Sequence, residues 1–264
     1  MGQLSAPPVS RAATADNVAS LCDGAFALFL DVDGTLLDLA ERPSDILTPP
    51  GLVETLARAE RKLGGALALV SGRPIRELDR VFEPLRLRAS GVHGAELRLV
   101  PDDAIQPAPA AVDLPESLFA ALSEAVKAFP GAFVENKRYS FAVHYRRAPA
   151  AAAQLRQAVM RVIESQPGIP VETMNAHCAI ELKAPGCDKG GAVKAFLAMP
   201  VFRERTPVYI GDDDTDESGF AAVGAQGGYA YSVGPRRPGS IGTFSQPSAV
   251  RRWLAKFVEL GDGA

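Results

Sequence analysis

The sequence predicts an α/β protein built around a Rossmann-like parallel β-sheet, with a second, α+β block inserted into it. Short apolar runs at 26–30, 66–70 and 207–210 alternate with amphipathic helical patterns, as in strands joined by helical crossovers. Each run ends in polar residues and glycine, as parallel strands do at the sheet edge that binds ligands. Between the second and third runs, neighbouring strand patterns flanked by helices indicate an antiparallel sheet.

The first strand, Phe26–Leu30, is apolar throughout, and we expect it to be buried on both faces. It leads into Asp31-Val-Asp-Gly-Thr35, where residues two apart share a face and Gly34 lets the backbone approach a ligand. Two carboxylates at a strand end suit a reaction in which one attacks and the other moves protons. A solvated acidic turn is the alternative explanation for this segment taken alone.

The next elements repeat the pattern of helix and strand. Pro49-Pro50 begins an amphipathic helix, and Gly64-Gly65 ends it. The strand Ala66–Val70 then leads into Ser71-Gly72-Arg73, and Pro74 begins a further helix. The Ser71 hydroxyl and the amides of the turn can bind an anion, although the same residues also form ordinary turns.

The middle of the chain predicts an inserted domain. A Pro/Ala/Asp-rich stretch at 101–112 is typical of a linker. The elements predicted after it are a helix at Pro115–Phe129, strands at Ala132–Lys137 and Ser140–Arg146, a helix at Ala148–Ser165, and strands at Val171–Asn175 and Cys178–Lys183. We therefore predict a core at 21–103 and 184–264, an inserted α+β domain at 104–183, and a flexible segment at 1–20.

After the insertion the chain returns to the core. Lys189, followed by two glycines, is predicted at the amino end of a helix, where side chain and backbone can both bind an anion; a solvent-facing lysine is the alternative. The strand Pro207–Ile210 leads into Gly211–Glu217, which carries five carboxylates. Their mutual repulsion suits a hard cation, Mg²⁺ or Ca²⁺, and an exposed acidic helix start is the alternative explanation for this segment taken alone. Tyr229–Val233 is predicted as the last strand, before a closing helix near 250–260.

Composition limits the kinds of partner. The chain has 264 residues, of which 47% are hydrophobic, so it can form a substantial core. A net charge of −3 provides no broad basic field, so we do not expect nucleic acid as a partner. Three cysteines without metal-ligand spacing, and the lack of a signal-like or membrane-spanning apolar run, predict a cytoplasmic protein that does not bind a membrane. We expect a monomer.

Four segments, taken in order, resemble the four motifs of the haloacid dehalogenase superfamily. They are Asp31–Thr35, Ser71, Lys189 and Gly211–Asp213. A closer resemblance is to trehalose-6-phosphate phosphatases, and it extends over about 27–220. The segments that carry this resemblance are Gly91–Glu96, Glu135–Lys137, His144–Arg146, Glu181–Lys183 and Gly211–Glu217.

The resemblance implies a Mg²⁺-dependent phosphatase that converts trehalose 6-phosphate to trehalose and phosphate, the last step of trehalose biosynthesis. Asp31 would be the nucleophile that forms an aspartyl-phosphate, and Asp33 the general acid and base. The inserted domain would be a cap that closes over the disaccharide. The implied binding residues are Thr35, Ser71, Gly72 and Lys189 for the phosphoryl group, Asp31, Asp33, Asp212 and Asp213 for Mg²⁺, and Arg73, His93, Glu96, Glu135, Lys137, His177 and Glu181 for the sugar.

Two positions depart from the family pattern. Ala176-His177 stands where the family commonly has Gly-Lys, and Ala184 replaces a common proline. The contacts to the sugar at that corner are therefore open. The alternatives are another capped sugar-phosphate phosphatase or phosphomutase, and a catalytically silent regulator that binds a phosphosugar.

Overall fold

The computed structural model describes residues 25–39, 47–176 and 178–259. These residues form two compact units, the first comprising 25–39, 47–69 and 193–259, and the second 70–176 and 178–192. The predicted flexible segment at 1–20 and the predicted sugar ligand His177 lie outside the described residues. The predicted bounds of core and inserted domain are not tested by this division and stay a prediction.

The described part of the chain alternates strands and helices over most of its length. In order, the elements are β1 Phe26–Leu30, α1 Leu52–Lys62, β2 Leu67–Val70, α2 Ile75–Val81, β3 Arg88–Gly91, β4 Glu96–Arg98, β5 Gln106–Pro107, α3 Glu116–Val126, β6 Phe133–Asn136, β7 Ser140–His144, α4 Ala152–Glu164, β8 Glu172–Ala176, β9 Ala179–Lys183, α5 Lys189–Leu197, β10 Thr206–Gly211, α6 Glu217–Gly224, β11 Tyr229–Val233, β12 Gly242–Phe244 and α7 Pro247–Glu259. Short 3-10 turns include Val92–Gly94 and Asp214–Asp216.

The first unit is built on a parallel sheet with strand order β12-β11-β10-β1-β2. All five residues of β1 are buried, as the uninterrupted apolar run predicts. Leu30 pairs with Ile210, so β1 and β10 end side by side at their carboxyl ends. The predicted parallel α/β class is confirmed.

The predicted strand Tyr229–Val233 is present as β11, but the prediction that it is the last strand was wrong, because β12 follows β11 and pairs with it in parallel. This strand has only three residues within a Gly/Pro/Ser-rich stretch, too few to show an alternating pattern. Phe244 anchors it in the core, with ring contacts to Tyr231 and Trp253. A single buried aromatic residue thus holds this short strand in the core, and it leaves no alternating pattern in the sequence.

The second unit contains an antiparallel sheet with order β6-β7-β9-β8, as predicted for the inserted block. Its side chains alternate between two faces. Phe141 and Val143 pack in one hydrophobic core with Leu118 and Leu122 of α3 and Leu155 of α4. The opposite face carries polar side chains, among them Ser140 and Glu181.

The same unit also holds the strands β3, β4 and β5, which pair with one another in antiparallel order. The strand β5 lies inside the stretch predicted as an irregular linker, where Gln106 pairs with Leu97. Its two residues are too short for a pattern. None of the helices in the described ranges has the length and apolar character needed to span a bilayer.

We predict that Leu122→Ala lowers the free energy of unfolding by about 2–5 kcal/mol, because the side chain is fully buried in the core beneath the antiparallel sheet. Glu124→Ala on the same helix is the control, since its side chain is 74% exposed and we expect a change of less than about 0.5 kcal/mol. Chemical denaturation measures both. Equal stability of the two variants would contradict this account of the core.

Candidate active site

Three carboxylates converge where β1 and β10 end. Asp31, Asp212 and Asp216 each offer one oxygen, and these three oxygens lie within 4.8 Å of one another. Asp31 is only 3% exposed, and its amide donates to the Ile210 carbonyl at 2.9 Å. The parallel register of two adjacent strands thus places acids that are far apart in sequence at one point.

The turn after β1 needs glycine at position 34. Gly34 has φ of +82°, and a Cβ there would lie 2.2 Å from Oδ2 of Asp212. The Gly34 amide donates to the Leu37 carbonyl at 2.8 Å, which keeps the turn tight. The glycine of the Asp-x-Asp-Gly-Thr motif is therefore what lets the second acidic segment approach the first.

Asp216 organises the loop that carries Asp212. Its Oδ2 accepts the amides of Asp212 at 3.0 Å and Asp213 at 3.1 Å, and its Oδ1 accepts the Tyr209 hydroxyl at 2.8 Å. Asp213 in turn accepts the Thr215 amide, so Asp213 and Asp216 form a reciprocal cap of the turn. Asp216 was predicted only as one of the five carboxylates of this segment, although its three-residue spacing from Asp213 is the signal of such a cap.

Arg237 was also missed. Its Nε donates to the Asp212 carbonyl at 2.5 Å, and its guanidinium pairs with Asp214. The residue lies in a loop without periodicity, 25 positions after Asp212. No sequence pattern therefore indicates its contact with Asp212.

The three-acid group fits a hard divalent cation. Clustered carboxylates repel one another unless a positive charge lies among them, and Mg²⁺ prefers such oxygen ligands. Asp31 and Asp212, both predicted as metal ligands, belong to the group, whereas the roles predicted for Asp33 and Asp213 stay predictions. The buried Oγ1 of Thr35 has no hydrogen-bond partner among the described residues, which leaves this hydroxyl available to a ligand.

In the second unit, the turn after β2 is held in place by backbone hydrogen bonds. The Ser71 amide donates to the Ser90 carbonyl at 2.9 Å, and the Ser71 carbonyl accepts the His93 amide at 3.1 Å. Ser71 Oγ accepts the Arg73 amide at 3.1 Å. A Cβ at Gly72 would lie 2.5 Å from His93 Nε2, so glycine is required for this close approach.

His93 lies in a strained turn. Val92, His93 and Gly94 have φ of 47°, 51° and 99°, and the left-handed region is unfavourable for the first two residues. Gly94 packs so closely on Asp188 that a Cβ would lie 2.2 Å from its carbonyl oxygen. The turn therefore touches the Ser71 segment and also the residue that precedes α5.

Lys189 is the first residue of α5 and is only 2% exposed, so the solvent-facing alternative is wrong. Asp188 Oδ1 accepts the Gly191 amide at 2.6 Å and caps the helix. Ser71, Gly72 and Lys189 thus all belong to segments held by the 92–94 turn. Hydroxyl, amide and ammonium donors on these segments suit an anion.

The predicted sugar ligands Glu181, Lys137 and His93 form one buried network. Glu181 is 2% exposed. Its Oε2 lies 3.0 Å from His93 Nε2, and its Oε1 accepts the Ser140 hydroxyl at 2.6 Å and lies 3.5 Å from Lys137 Nζ. Lys137 also donates to the Gly72 carbonyl at 3.1 Å. The network therefore links the antiparallel sheet to the Ser71 turn.

The network keeps Glu181 and Lys137 charged. Burial alone would raise the pKa of Glu181, but His93, Lys137 and the Ser140 hydroxyl lower it well below its usual range. Burial alone would lower the pKa of Lys137, yet the charges of Glu181 and Glu135 raise it. We conclude that a buried carboxylate and a buried ammonium coexist here as hydrogen-bonding groups.

The remaining predicted sugar ligands have partners of their own. Glu135 Oε2 lies 2.7 Å from His144 Nε2; burial would raise the Glu135 pKa, but His144 and Lys137 lower it overall. Glu96 accepts the Ile75 amide at 2.7 Å at the start of α2, and burial raises its pKa. Arg73 pairs with Glu77 at 3.4 Å. For all of the predicted sugar ligands, a contact with sugar stays a prediction.

Comparisons with known proteins agree on one family. The family model described as Trehalose-phosphatase matches residues 29–243. A probable trehalose-phosphate phosphatase of Sinorhizobium fredii is 41% identical over 85% of this chain and 83% of its own. The trehalose-6-phosphate phosphatase of Escherichia coli is 37% identical over 79% and 77%. The C-terminal domain of a C. albicans trehalose-6-phosphate phosphatase has the same fold, with a TM-score of 0.83 and 21% identity over 94% of this chain and 98% of that one.

We predict that Glu181→Gln changes how stability depends on pH. The pKa of Glu181 is lowered by folding, so its ionised form stabilises the protein above its usual pKa of about 4.5, and this contribution is lost as the pH falls further. The stability difference between wild type and variant should therefore shrink by at least about 1.4 kcal/mol between pH 6 and pH 3, the equivalent of one pKa unit.

Denaturation at a series of pH values measures this difference. Glu124→Gln is the matched control, because that carboxylate is 74% exposed and an exposed ion pair contributes little to stability. Parallel profiles for wild type and Glu181→Gln would contradict a depressed pKa of Glu181.

Proposed function

The chain belongs to the trehalose-phosphatase family and is a phosphatase, and we propose that its substrate is trehalose 6-phosphate, hydrolysed to trehalose and phosphate as the last step of trehalose biosynthesis. The observation that carries the chemistry is the convergence of Asp31 and Asp212 at the ends of two adjacent parallel strands. A buried carboxylate on a rigid strand end is suited to attack, because it needs little reorganisation before the reaction.

In the proposed reaction, an Asp31 oxygen attacks phosphorus and the bond to the sugar oxygen breaks, which forms an aspartyl-phosphate. Asp33 donates a proton to the departing sugar oxygen. It then takes a proton from the water that attacks the phosphorus. The bond between phosphorus and the Asp31 oxygen breaks, which frees inorganic phosphate and regenerates the Asp31 carboxylate. Asp33 lies in the turn tightened by Gly34, where a backbone bridge connects it to Leu37.

The phosphoryl oxygens would be bound by Thr35, Ser71, Gly72 and Lys189. Their chemistry supports this proposal. The buried Lys189 ammonium at a capped helix start, the buried hydroxyls and the amides of the glycine turn can all donate hydrogen bonds to an anion. Fixed donors of this kind stabilise the charge that develops on the phosphoryl group.

Mg²⁺ would be held by Asp31, the Asp33 carbonyl and Asp212, with support from Asp213. When bound, the ion would neutralise charge on the phosphoryl group and the attacking carboxylate. Asp216 and Arg237 would act as positioning residues, because both hold the backbone of Asp212.

The sugar hydroxyls would be recognised by Glu181, Lys137, Glu135 and His93. A buried carboxylate and a buried ammonium offer acceptors and donors in fixed positions, which suits a ligand rich in hydroxyl groups. We propose that residues 104–183 form a cap whose closure excludes bulk water before the attack. A cytoplasmic monomer without nucleic-acid or membrane partners remains our expectation.

We predict that the wild-type protein releases phosphate from trehalose 6-phosphate with Mg²⁺, in preference to glucose 6-phosphate and sucrose 6-phosphate. Asp31→Asn should lower turnover at least about 1000-fold, because an amide is a far weaker nucleophile. Phosphate release measures both. Asp38→Asn is the control, since this carboxylate is 68% exposed and pairs with Arg251.

Full activity of Asp31→Asn would overturn the proposed nucleophile. Equal turnover of the three esters would leave the phosphatase chemistry intact and reject trehalose 6-phosphate as the specific substrate. No turnover of any ester would favour a silent phosphosugar-binding regulator.

We also predict that EDTA abolishes turnover, that Mg²⁺ restores it, and that Asp212→Asn weakens Mg²⁺ binding by about 10–100-fold. Calorimetric titration with Mg²⁺ alone gives the affinity without relying on activity. Glu124→Gln serves as the control, because Glu124 is a 74% exposed carboxylate on α3 and does not belong to the acidic loop. Equal Mg²⁺ affinity in the two variants would contradict the proposed site.

A further inference from the structure

The polar face of the antiparallel sheet runs from a buried end to an open end. Glu135, Ala142 and Glu181 pair in register across β6, β7 and β9, so they form one row on this face. At the buried end, Lys137 and Glu181 form the network that reaches the Gly72 carbonyl. Phe133 lies two residues before Glu135 on β6, on the same face and on the side away from Lys137.

Phe133 forms an exposed aromatic stack at the open end. Its ring lies parallel to that of His144, with ring centroids 4.6 Å apart and an interplanar angle of 18°. The two residues are direct partners across β6 and β7. Phe133 is nevertheless 43% exposed, so the ring edge and the face turned away from His144 must provide much of this exposed surface.

The stack is continuous with the proposed sugar ligands. His144 Nε2 lies 2.7 Å from Glu135 Oε2, so one imidazole both orients a carboxylate and supports the phenyl ring. The His144 side chain is 17% exposed and that of Glu135 is 23% exposed, so both line the same open end. An exposed phenyl ring beside oriented hydrogen-bonding groups is the usual composition of a small-molecule site.

The position of the stack indicates which part of a ligand reaches it. Along a strand, Phe133 lies four residues from Lys137, or roughly 13 Å at about 3.3 Å per residue. Lys137 contacts Gly72, next to the proposed phosphate ligand Ser71. A phosphorylated ring held near Gly72 would therefore end short of Phe133, whereas a second ring attached to it would extend towards the stack.

We propose that Phe133, supported by His144, forms a second sugar subsite that packs against the unphosphorylated ring of a disaccharide phosphate. This inference rests on the proposed function and specifies which ring is recognised. The C–H groups on one face of a pyranose ring are apolar and slightly positive, so they pack favourably on the electron-rich face of a phenyl ring. Glu135, held by His144, accepts hydroxyl groups at the rim of the same ring.

The test compares two substrates and three variants. For each protein, kcat and KM are measured for trehalose 6-phosphate and for phenyl phosphate, a monoester without sugar. We expect Phe133→Ala to lower the ratio of the two kcat/KM values about tenfold, chiefly through a higher KM for trehalose 6-phosphate. Phe133→Tyr retains the ring and should keep the ratio within about twofold of wild type.

Met160→Ala is the matched control. Met160 lies on α4 and is 41% exposed, close to the value for Phe133, so its removal tests the loss of an exposed apolar side chain elsewhere. We expect its ratio to equal that of wild type.

An unchanged ratio in Phe133→Ala would overturn the subsite. A parallel loss of both activities in Phe133→Ala would also overturn it, because that result indicates a general structural defect. If wild type hydrolyses phenyl phosphate but not trehalose 6-phosphate, the proposed function itself fails, which separates that failure from a failure of the subsite alone.

Discussion

Mutual repulsion of carboxylates is the constraint on which the first unit depends. Asp31 and Asp212 are held together by the parallel pairing of β1 and β10, with little freedom to separate. Asp216 adds a third negative charge, but amide and hydroxyl donors surround its carboxylate and stabilise it. Backbone amides therefore offset part of the repulsion among the three carboxylates. A cation bound among these oxygens would offset the rest.

In the second unit the constraint is the burial of a carboxylate, that of Glu181, and not the repulsion between several carboxylates. Glu181 is matched there by an ammonium, a hydroxyl and an imidazole. A buried charge without such partners would be protonated or would destabilise the fold by several kcal/mol. The same partners orient Glu181, so the requirement for stability and the requirement for recognition are met by one set of hydrogen bonds.

Local pattern was sufficient for much of the fold and for several site residues. The buried strands β1 and β10 are contiguous apolar runs, and Lys189 stands at a recognisable helix start, so both could be predicted without coordinates. The pairing of His93 with Glu181 could not, because the two residues are 88 positions apart and meet only through a left-handed turn.

Other features lacked a sequence signal for different reasons. β12 is too short for periodicity, and Phe244 alone fixes it in the core. Arg237 reaches the Asp212 carbonyl and the Asp214 side chain from a loop without periodicity, so no sequence pattern indicates these contacts. The residues that could be predicted thus belong to local sequence patterns. The missed residues Asp216 and Arg237 instead hydrogen-bond the backbone of Asp212 and fix its position.

The strained turn at 92–94 has a consequence for protein engineering. Val92 is a β-branched residue in the left-handed region, a conformation that costs on the order of 1–3 kcal/mol. Glycine would relieve this cost, but it would also remove a buried side chain that packs with Ala95, Tyr139 and Cys187. Hydrophobic packing around Val92 therefore holds the turn in its strained conformation, and a substitution chosen only to relieve backbone strain here would sacrifice that packing.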